Sequence, residues 1–263
     1  MQYILVTGAY GGMGKATVKK LCEQGFTVFA LDKKIGEAEK NVIPVEADIT
    51  DEESIKHAVE EIAKVTDTLF AIVHYAGIYM LNSLVEMKNS DFERIFRINL
   101  FGAFLINKAF LPFLRKGSKI IITTSELAPL DPLPFTGIYA ITKSALDKYA
   151  YSLCMELQLI RISVSVIRAG AVKTEMLGVS TNALDRFCNK TSLYKCNAAR
   201  FKKIVDSVEA KSVSAEKIAD KTFKILEKKN PAFIYNINRN PLLRLLDFFP
   251  KRLQLWIIRQ VLK

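Results

Sequence analysis

Residues 3–14 read YILVTGAYGGMG, a short apolar run that leads directly into four glycines. The run YILVT is rich in β-branched and aromatic residues, as is typical of a buried strand. A helical pattern follows to about residue 24, so the glycines form a turn between a strand and a helix. At the start of a parallel sheet, such a turn brings a helix N-terminus to the place where a dinucleotide pyrophosphate can bind.

The glycines of this turn have the spacing G-x-x-x-G-x-G. Gly8 permits the tight turn, Gly12 lets the backbone approach a phosphate, and Gly14 lets the helix pack close to the strand. The motif of P-loop ATPases would need glycine at Ala9 and serine or threonine at Ala16, which disfavours that class. A purely structural turn without a ligand is the alternative interpretation.

Asp32 follows the second predicted strand, residues 27–31, and lies eighteen residues after Gly14. A carboxylate at this position accepts hydrogen bonds from the adenosine ribose and repels a 2′-phosphate. The pattern therefore predicts NAD as the cofactor in preference to NADP. Lys33 and Lys34 weaken this preference, although no arginine in the turn favours NADP.

The rest of the chain alternates short apolar runs with longer helical patterns. The apolar runs do not alternate with polar residues, which indicates strands buried on both faces of a parallel sheet. Repeated β-α-β units predict an α/β protein with a doubly wound Rossmann fold, in which helices flank both faces of the sheet. The further predicted strands are 41–47, 68–76, 119–125 and 162–169, and the further predicted helices are 51–65, 90–114 and the one that carries 139–143.

We expect a single domain with a helical C-terminal extension. Residues 1–238 would form the Rossmann-fold domain, and residues 171–213, which lack strong periodicity, would leave the sheet as a substrate loop. Residues 239–263 form two amphipathic segments separated by Pro250. This extension could pack in an oligomer interface, cover the substrate pocket or lie on a membrane, and packing on protein is favoured.

Composition and charge exclude several classes of protein. Half of the residues are hydrophobic and a quarter are charged, as in ordinary globular domains. No stretch approaches the roughly 20 apolar residues that span a bilayer. The N-terminus enters a strand pattern at once, which leaves no room for a signal peptide. The four cysteines show no C-x-x-C spacing, which indicates a reducing, cytoplasmic compartment and no metal site.

The net charge is +11, and residues 201–263 carry fourteen Lys and Arg against six Asp and Glu. Such a balance permits contact with nucleic acid or an anionic membrane. No nucleic-acid-binding motif accompanies the charge, so a solvated basic face is favoured and nucleic acid is not an expected partner. Membrane association remains open through the extension.

Residues 139–143 read YAITK and place Tyr139 and Lys143 one helical turn apart. About one such pair is expected by chance in this composition, so it gains weight only from its context. Ser125 lies fourteen residues earlier, at the end of the fifth predicted strand. An ammonium beside a phenol would lower the pKa of the phenol toward the range of a usable acid or base.

Together these residues resemble the short-chain dehydrogenase/reductase family. TGAYGGMG is similar to its T-G-x-x-x-G-x-G element, YAITK to its Y-x-x-x-K, and AGAVKT (169–174) to its P-G-x-V-x-T. The resemblance extends from residue 3 to about 176. It implies hydride transfer between a nicotinamide cofactor and a secondary alcohol or ketone, without a metal, and we expect a homo-oligomer. A catalytically silent dinucleotide-binding sensor or scaffold is the alternative function.

The resemblance also assigns roles to individual residues. Tyr139 would be the general acid/base, Lys143 would tune it and bind the nicotinamide ribose, and Ser125 would orient the substrate oxygen. Asn99 would hold a water in a proton relay. The residues expected to contact the cofactor are Gly8, Gly11, Gly12, Met13, Gly14, Asp32, Asp48, Ile49, Ala76, Gly77, Tyr139, Lys143, Val172 and Thr174.

The chain departs from the family pattern at two places. The family's N-N-A-G is His74-Tyr75-Ala76-Gly77 here, and Ala169 replaces the usual proline before Gly170. Neither change removes a proton-transfer group. We interpret His74 as a structural residue at a strand end.

The residues around the predicted site are apolar, which suits a lipophilic alcohol or ketone such as a hydroxysteroid or retinoid. We find no obvious arginine for a substrate carboxylate. A 3-oxoacyl thioester or another small ketone is the alternative substrate. Residues 123–146 also resemble hydroxysteroid- and retinol-type members of the family. The apolar residues are Ile78, Tyr79, Met80, Leu127, Leu130, Leu133, Met176 and Leu177.

Overall fold

A computed structural model of the chain describes residues 2–174, 184–209 and 211–263. These residues build one seven-stranded sheet and a separate two-stranded ladder. The strands are β1 Tyr3–Thr7, β2 Thr27–Asp32, β3 Val42–Glu46, β4 Leu69–His74, β5 Leu114–Thr123, β6 Ser163–Ala169, β7 Val172–Lys173, β8 Val213–Ser214 and β9 Ile234–Ile237. The large sheet has the order β3-β2-β1-β4-β5-β6-β9 and every neighbouring pair is parallel.

Helices connect these strands and cover the sheet. Local sequence begins some of them: the Asp51 side chain caps α2 by accepting a hydrogen bond from the backbone N–H of Glu53. A π-helical segment, Arg97–Phe101, joins α3 to α4. The helices are α1 Gly12–Glu23, α2 Glu52–Ala63, α3 Asn89–Phe96, α4 Gly102–Phe110, α5 Gly137–Leu157, α6 over residues 184–190, α7 Lys195–Glu209, α8 Ala215–Leu226, α9 Pro241–Phe248 and α10 Lys251–Leu262.

Apolar cores lie on both faces of the sheet. Successive side chains of a strand point to opposite faces, so Ile4 and Leu5 of β1 belong to different cores. Helices α2, α4 and α5 pack on the face of Leu5, and α1 and α8 pack on the face of Ile4. Because both faces are covered, the central strands must be apolar throughout. The predicted doubly wound fold is confirmed.

Three elements differ from the sequence prediction. The long helix expected over 90–114 is interrupted by the π-helical segment, and β5 begins at Leu114 instead of 119. Strand β9, four residues with alternating exposed and buried side chains, escaped prediction because it is short and lies at the sheet edge. Its register is set by pairing with β6, a contact that local periodicity does not contain.

The chain reverses its direction of winding between β1 and β4. It passes outward from β1 to β2 and β3, and then from β4 to β5 and β6 on the other side. In such sheets the crevice outside the carboxyl ends of the two central strands binds ligands. Gly8 has φ +67°, and a Cβ there would lie 2.5 Å from the Ala76 nitrogen, so only glycine fits where the two loops meet.

Strands β7 and β8 pair with each other outside the large sheet. Helices α6 and α7, which lie between them in the chain, pack with α10 in a third apolar cluster. Met176 and Leu177, predicted to line the substrate site, lie outside the described residues. The division of the chain at residue 238 stays a prediction. The buried members of this third cluster are Leu81, Phe135, Leu184, Phe187, Ala198, Phe201 and Leu262.

Among the described residues, one helical segment, Asn89–Phe113, is long and apolar enough to cross a membrane by length and composition. The sequence analysis found no such stretch. In the structure, 44% of the apolar window is buried inside the protein, and Leu105, Ile106 and Phe110 pack in the core under the sheet. A core helix of a globular domain meets the same criterion, and one side of this segment packs in the core while Phe101 and Phe104 stay exposed on the other.

Candidate active site

Tyr139, Lys143 and Ser125 converge at the carboxyl end of β5. Tyr139 lies in the first turn of α5, and its hydroxyl lies close enough to the Ser125 side chain for the serine to lower the pKa of the phenol. The Ser125 Oγ also accepts a hydrogen bond from the Leu127 N–H at 3.2 Å. Lys143 Nζ donates to the Thr123 carbonyl at 3.2 Å and lies 5.8 Å from the centre of the Tyr139 ring. The three side chains that the sequence predicted as catalytic are therefore neighbours.

Burial dominates the electrostatics of this group. It raises the pKa of Tyr139 above its ordinary value, the neighbouring Tyr79 raises it further, and the Ser125 side chain opposes both. Burial also lowers the pKa of Lys143 to about 8. Burial of the phenol therefore acts against the lowering expected from Lys143 and the positive nicotinamide ring, and that expectation stays a prediction for the cofactor-bound enzyme.

Asn99 connects the loop after β4 to α5. Its Oδ1 accepts a hydrogen bond from the Ile78 N–H at 2.8 Å, and its Nδ2 donates to the Ile78 carbonyl at 3.0 Å and to Thr142 Oγ1 at 3.1 Å. The residue lies in the π-helical segment, a distortion that is frequent at functional sites. A Cβ at Gly77 would lie 3.3 Å from Asn99 Oδ1 and 3.5 Å from Lys143 Nζ. Asn99 therefore holds this loop beside the lysine.

A cavity of about 1230 Å³ runs from the glycine turn along the carboxyl ends of the central strands to α6. Val172 lies outside it, buried in a core of the sheet. The side chains of Asn99, Ser125, Tyr139 and Lys143 do not border it either. The predicted cofactor residues that border it are Gly8, Gly11, Gly12, Met13, Gly14, Asp32, Asp48, Ile49, Ala76, Gly77 and Thr174.

Tyr79 stands between this cavity and the catalytic group. It borders the cavity, and its ring centre lies 4.9 Å from that of Tyr139. Ile78 and Met80 border the cavity as predicted, and Leu133 borders a second cavity of about 500 Å³. Leu127 and Leu130 border neither.

The glycine turn fits a pyrophosphate. Helix α1 begins after Gly11 with no side-chain cap and no acidic residue in its first turn, so its N-terminal end is open to an anion. A Cβ at Gly14 would lie 2.0 Å from the Gly8 carbonyl oxygen, so the helix can approach the turn only without a side chain there. Gly11, Gly12 and Met13 border the cavity directly.

Asp32 is held at the cavity wall by backbone donors. Its two carboxylate oxygens accept hydrogen bonds from the N–H groups of Tyr10 at 3.0 Å and Lys33 at 2.8 Å. The Lys33 ammonium donates to Asp48 at 2.7 Å and, with hydrogen bonds from Thr50, lowers the pKa of Asp48 to about 2. Lys33 is therefore engaged with a neighbouring carboxylate, a contact that the sequence analysis missed.

Basic side chains also line the cavity. Arg94 and Arg97 border it from the side of α3, and Arg186 and Lys190 border it from α6. The sequence analysis found no obvious arginine for a substrate carboxylate, whereas the structure places Arg94, Arg97 and Arg186 at the cavity. These residues are distant from the glycine turn in sequence, and only the packing of α3 and α6 brings them to the same cavity.

A family model described as short chain dehydrogenase matches residues 2–185 of this chain. The chain belongs to the short-chain dehydrogenase family. Its members are oxidoreductases that act on alcohols or ketones, and their Rossmann fold binds a nicotinamide dinucleotide. The glycine turn, the open end of α1 and the Asp32 carboxylate of this chain fit that cofactor.

Known relatives differ in how much of the chain they match. The 3-ketodihydrosphingosine reductase of Bacteroides thetaiotaomicron is 28% identical over 234 residues, which cover 88% of this chain and 86% of that protein. Mouse estradiol 17-beta-dehydrogenase 2 is 35% identical over 189 residues, or 66% of this chain, and the match spans only 49% of that protein. A short chain dehydrogenase family protein from Francisella tularensis has a similar fold, with a TM-score of 0.76 at 22% identity, covering 90% of this chain and 97% of the other.

A buried ion pair braces the catalytic helix of this short-chain dehydrogenase. Arg168 of β6 contacts Asp147 of α5 through two hydrogen bonds, of 2.9 and 2.6 Å, and Thr124 Oγ1 donates to the same carboxylate at 3.2 Å. Asp147 lies one turn after Lys143, and Thr124 precedes Ser125. The brace therefore fixes α5 against the strand end that carries the serine. The sequence signal for this ion pair is Arg168, the one charged residue in the run ISVSVIRA (162–169).

Replacing Arg168 by methionine is expected to lower the free energy of unfolding by about 3 kcal/mol, because it leaves the Asp147 carboxylate buried without its partner. Urea denaturation of the two proteins measures the difference. The control is Lys64→Met, which removes the exposed pair with Glu61 and should cost less than about 1 kcal/mol. Equal effects of the two substitutions would contradict a structural role for the brace.

Two of the residues that depart from the family pattern, His74 and Tyr75, are built into the interior. His74 Nε2 lies 2.9 Å from Asn107 Oδ1, and burial lowers the pKa of this histidine to about 4. The Tyr75 hydroxyl accepts a hydrogen bond from Thr17 at 2.9 Å and shares another with Thr222 at 2.6 Å, which connects α1 to α8. Both side chains hold elements together, as the sequence interpretation of His74 expected.

The burial of His74 makes stability depend on pH. Its folded-state pKa lies below the ordinary 6.5, so the unfolded chain binds the proton first, and stability falls as pH drops from about 6.5 toward 4. Between pH 7 and 4.5 this histidine alone should cost about 2 kcal/mol. Urea unfolding at both pH values should show that His74→Gln loses this part of the pH dependence. The exposed His57 provides the control, since His57→Gln should leave the profile of the parent protein unchanged.

Proposed function

We propose that this short-chain dehydrogenase transfers a hydride between NAD(H) and a secondary alcohol or ketone of a lipophilic substrate. The observation that carries the proposal is the convergence of Tyr139, Ser125 and Lys143 at the carboxyl end of β5, beside the cavity. The bound cofactor supplies or accepts the hydride, and the chain has to place the carbonyl and move one proton.

In reduction, the Ser125 hydroxyl orients and polarises the substrate oxygen, and Tyr139 donates its proton to that oxygen. The pKa of Tyr139 is raised by burial, which makes the tyrosine a reluctant base and keeps it protonated for this step. Lys143, whose pKa is about 8, carries a positive charge at neutral pH and stabilises the phenolate that remains. Alcohol oxidation uses the same groups in reverse.

The preference for NAD rests on two contacts at the adenosine end of the cavity. The Asp32 carboxylate is oriented by two backbone N–H groups and can accept hydrogen bonds from a ribose. Lys33, which follows Asp32 in the chain, is paired with Asp48, and this ion pair would have to open before the ammonium could neutralise a 2′-phosphate. Both contacts favour a ribose without the phosphate.

Support for a lipophilic substrate comes from the third apolar cluster. Leu81 and Phe187 belong to this cluster and also border the cavity, and Tyr79 packs against the same cluster. The names of the two relatives, a 3-ketodihydrosphingosine reductase and an estradiol dehydrogenase, describe oxidoreductases of lipophilic molecules.

A panel of hydroxysteroids, retinoids and long-chain 3-ketones, tested with NAD(H) and NADP(H), examines this proposal. We expect turnover with at least one lipophilic member and a higher kcat/KM with NAD(H). Tyr139→Phe serves as the blank in each assay. Turnover restricted to small hydrophilic ketones would contradict the lipophilic assignment while leaving the hydride-transfer chemistry in place.

The basic residues of the cavity favour one second candidate, a 3-oxoacyl thioester whose carrier bears a phosphate. Arg186 and Lys190 lie one turn apart on α6, so both can approach the same anionic group. Removing both charges with Arg186→Gln and Lys190→Gln should raise the KM for such a thioester and leave the KM for an uncharged ketone unchanged. Equal effects on the two substrates would remove this candidate.

We also propose a homo-oligomer. Apolar side chains remain exposed along α4 and α5, including Phe104 and Tyr151, which are 39% and 52% exposed. Light scattering coupled to size-exclusion chromatography measures the mass directly, and a monomer at micromolar concentration would contradict this proposal.

A further inference from the structure

Helix α9 presents its most apolar face outward. Leu242, Leu245 and Phe248 are spaced three residues apart and share one face, and they are 70%, 55% and 87% exposed. The acidic residue of this helix, Asp247, lies on another face and accepts a hydrogen bond from the Asp131 N–H at 3.0 Å. A helix on a water-exposed surface normally has the opposite arrangement, with polar residues outward.

Helix α10 continues this surface. Its inner side packs on the third apolar cluster through Leu262 and Ile258. Its outer side exposes Leu255 and Trp256, which are 69% and 59% accessible. Arg252 lies one turn before Trp256 on the same helix, and an exposed tryptophan beside arginines is typical of segments that lie at a lipid headgroup boundary.

The charge of this region is strongly positive. Residues 239–263 contain six Lys and Arg and one Asp. The single acid is turned toward the body of the protein, and within the described parts of the chain no ion pair involves Arg244, Arg252 or Arg259. A second copy packed on this face would bring the same positive charge against it, which is unfavourable. An anionic lipid surface is complementary in both charge and polarity.

The two helices are fastened to the protein beside the active site. Glu126, which directly follows Ser125, accepts a hydrogen bond from the Asn240 N–H at 2.6 Å. Lys251 forms an ion pair with Asp131 of the same loop, and Asn197 donates to the Leu262 carbonyl at 2.6 Å. The outward face is therefore held in a fixed orientation, so docking would not require ordering a loose tail.

We propose that α9 and α10 dock on an anionic lipid bilayer. The lipid-facing surface consists of Leu242, Arg244, Leu245, Phe248, Arg252, Leu255, Trp256 and Arg259. Its apolar side chains enter the boundary between headgroups and acyl chains, and its arginines bind lipid phosphates. Docking places the loop after Ser125 next to the bilayer, where a lipophilic molecule could leave the lipid without crossing water. The binding itself does not depend on which substrate the enzyme uses.

Flotation of the full-length protein with vesicles tests this proposal. One set contains phosphatidylcholine with about 30% phosphatidylserine, and the other contains phosphatidylcholine alone. We expect co-flotation with the anionic vesicles that weakens as salt is added. Trp256 is the only tryptophan in the chain, so its emission should shift to the blue and become protected from aqueous quenchers when this surface meets lipid.

Paired variants separate the apolar and charged contributions. Leu245→Ser with Phe248→Ser should lower the partition coefficient at least about tenfold. Arg252→Gln with Arg259→Gln should lower it about 30-fold. All four side chains are exposed, so the fold should be kept. The control for the apolar pair is Leu159→Ser, at a residue that is 81% exposed and precedes β6, on the side of the protein where the strands begin. The control for the charged pair is Lys40→Gln with Lys116→Gln, at two exposed lysines.

Three results would overturn the proposal. The first is no flotation and no change in Trp256 emission with anionic vesicles. The second is an equal loss of binding in the surface variants and in their controls. The third has two parts: the parent protein binds no lipid, and replacing Leu245 and Phe248 lowers the molecular mass in solution. That result would assign this face to a second copy of the chain.

Discussion

Tyr139→Phe is expected to lower kcat by a factor of about 10²–10⁴, the usual contribution of a positioned proton donor. The substitution removes only the hydroxyl that lies beside Ser125, while the ring keeps its contact with Tyr79. Since the phenol does not border the cofactor cavity, the dissociation constant for NAD should change by less than about threefold. Steady-state kinetics and a calorimetric titration with NAD measure the two quantities.

Tyr79→Phe is the matched control, because the second tyrosine lies beside the first and loses the same group. It should retain most of the activity, since Tyr139 lies one turn from Lys143 and its hydroxyl lies beside Ser125. If Tyr139→Phe keeps the parent rate, the proposed proton transfer is wrong. If both substitutions abolish turnover equally, the hydroxyl of Tyr79 takes part as well.

Replacing Asp32 by asparagine is expected to shift the ratio of kcat/KM for NAD over NADP by about 10- to 100-fold toward NADP. A hydrogen bond to a charged group contributes about 1.5–3 kcal/mol, and the charge that repels a 2′-phosphate is lost at the same time. Asparagine can still accept a hydrogen bond from the Tyr10 N–H, so the turn should keep its shape. Once the Asp32 carboxylate is gone, the Lys33 ammonium can pair with a 2′-phosphate instead of Asp48.

Asp67→Asn provides a charge-matched control at an exposed residue before β4. This residue lies at the amino ends of the strands, away from the cavity at their carboxyl ends. It should leave the cofactor ratio unchanged. An unaltered ratio in Asp32→Asn would show that the cofactor preference is set elsewhere in the cavity, for example by the basic residues of α3.

Several features of the site follow from local patterns. The glycine turn, the acid after β2 and the spacing of Tyr139 and Lys143 are properties of short segments, and each structural element they require is present. The strands of the sheet interior were predictable because burial on both faces demands continuous apolar runs. The boundaries of β5 and the interruption of the helix near Asn99 were not, because the distant contacts of these residues override their local propensities.

Other features arise only when distant segments meet. From the sequence, Lys33 weakened the predicted preference for NAD. In the structure its ammonium pairs with Asp48, a contact that the sequence did not predict. The brace between Arg168 and Asp147 joins a strand to a helix twenty-one residues away. The pKa of Tyr139 moves opposite to the expectation from its neighbouring lysine, because the degree of burial is not a local quantity.

The amino-acid sequence by itself determined the doubly wound fold and the family, since hydrophobic periodicity and motif spacing are written in consecutive residues. It also predicted a proton-transfer role for Tyr139, Lys143 and Ser125. The tertiary structure alone decided how those side chains are charged, which cations face the cavity and which face of the C-terminal helices remains outside. These properties depend on what each side chain is packed against, and that is settled by residues far away in the chain.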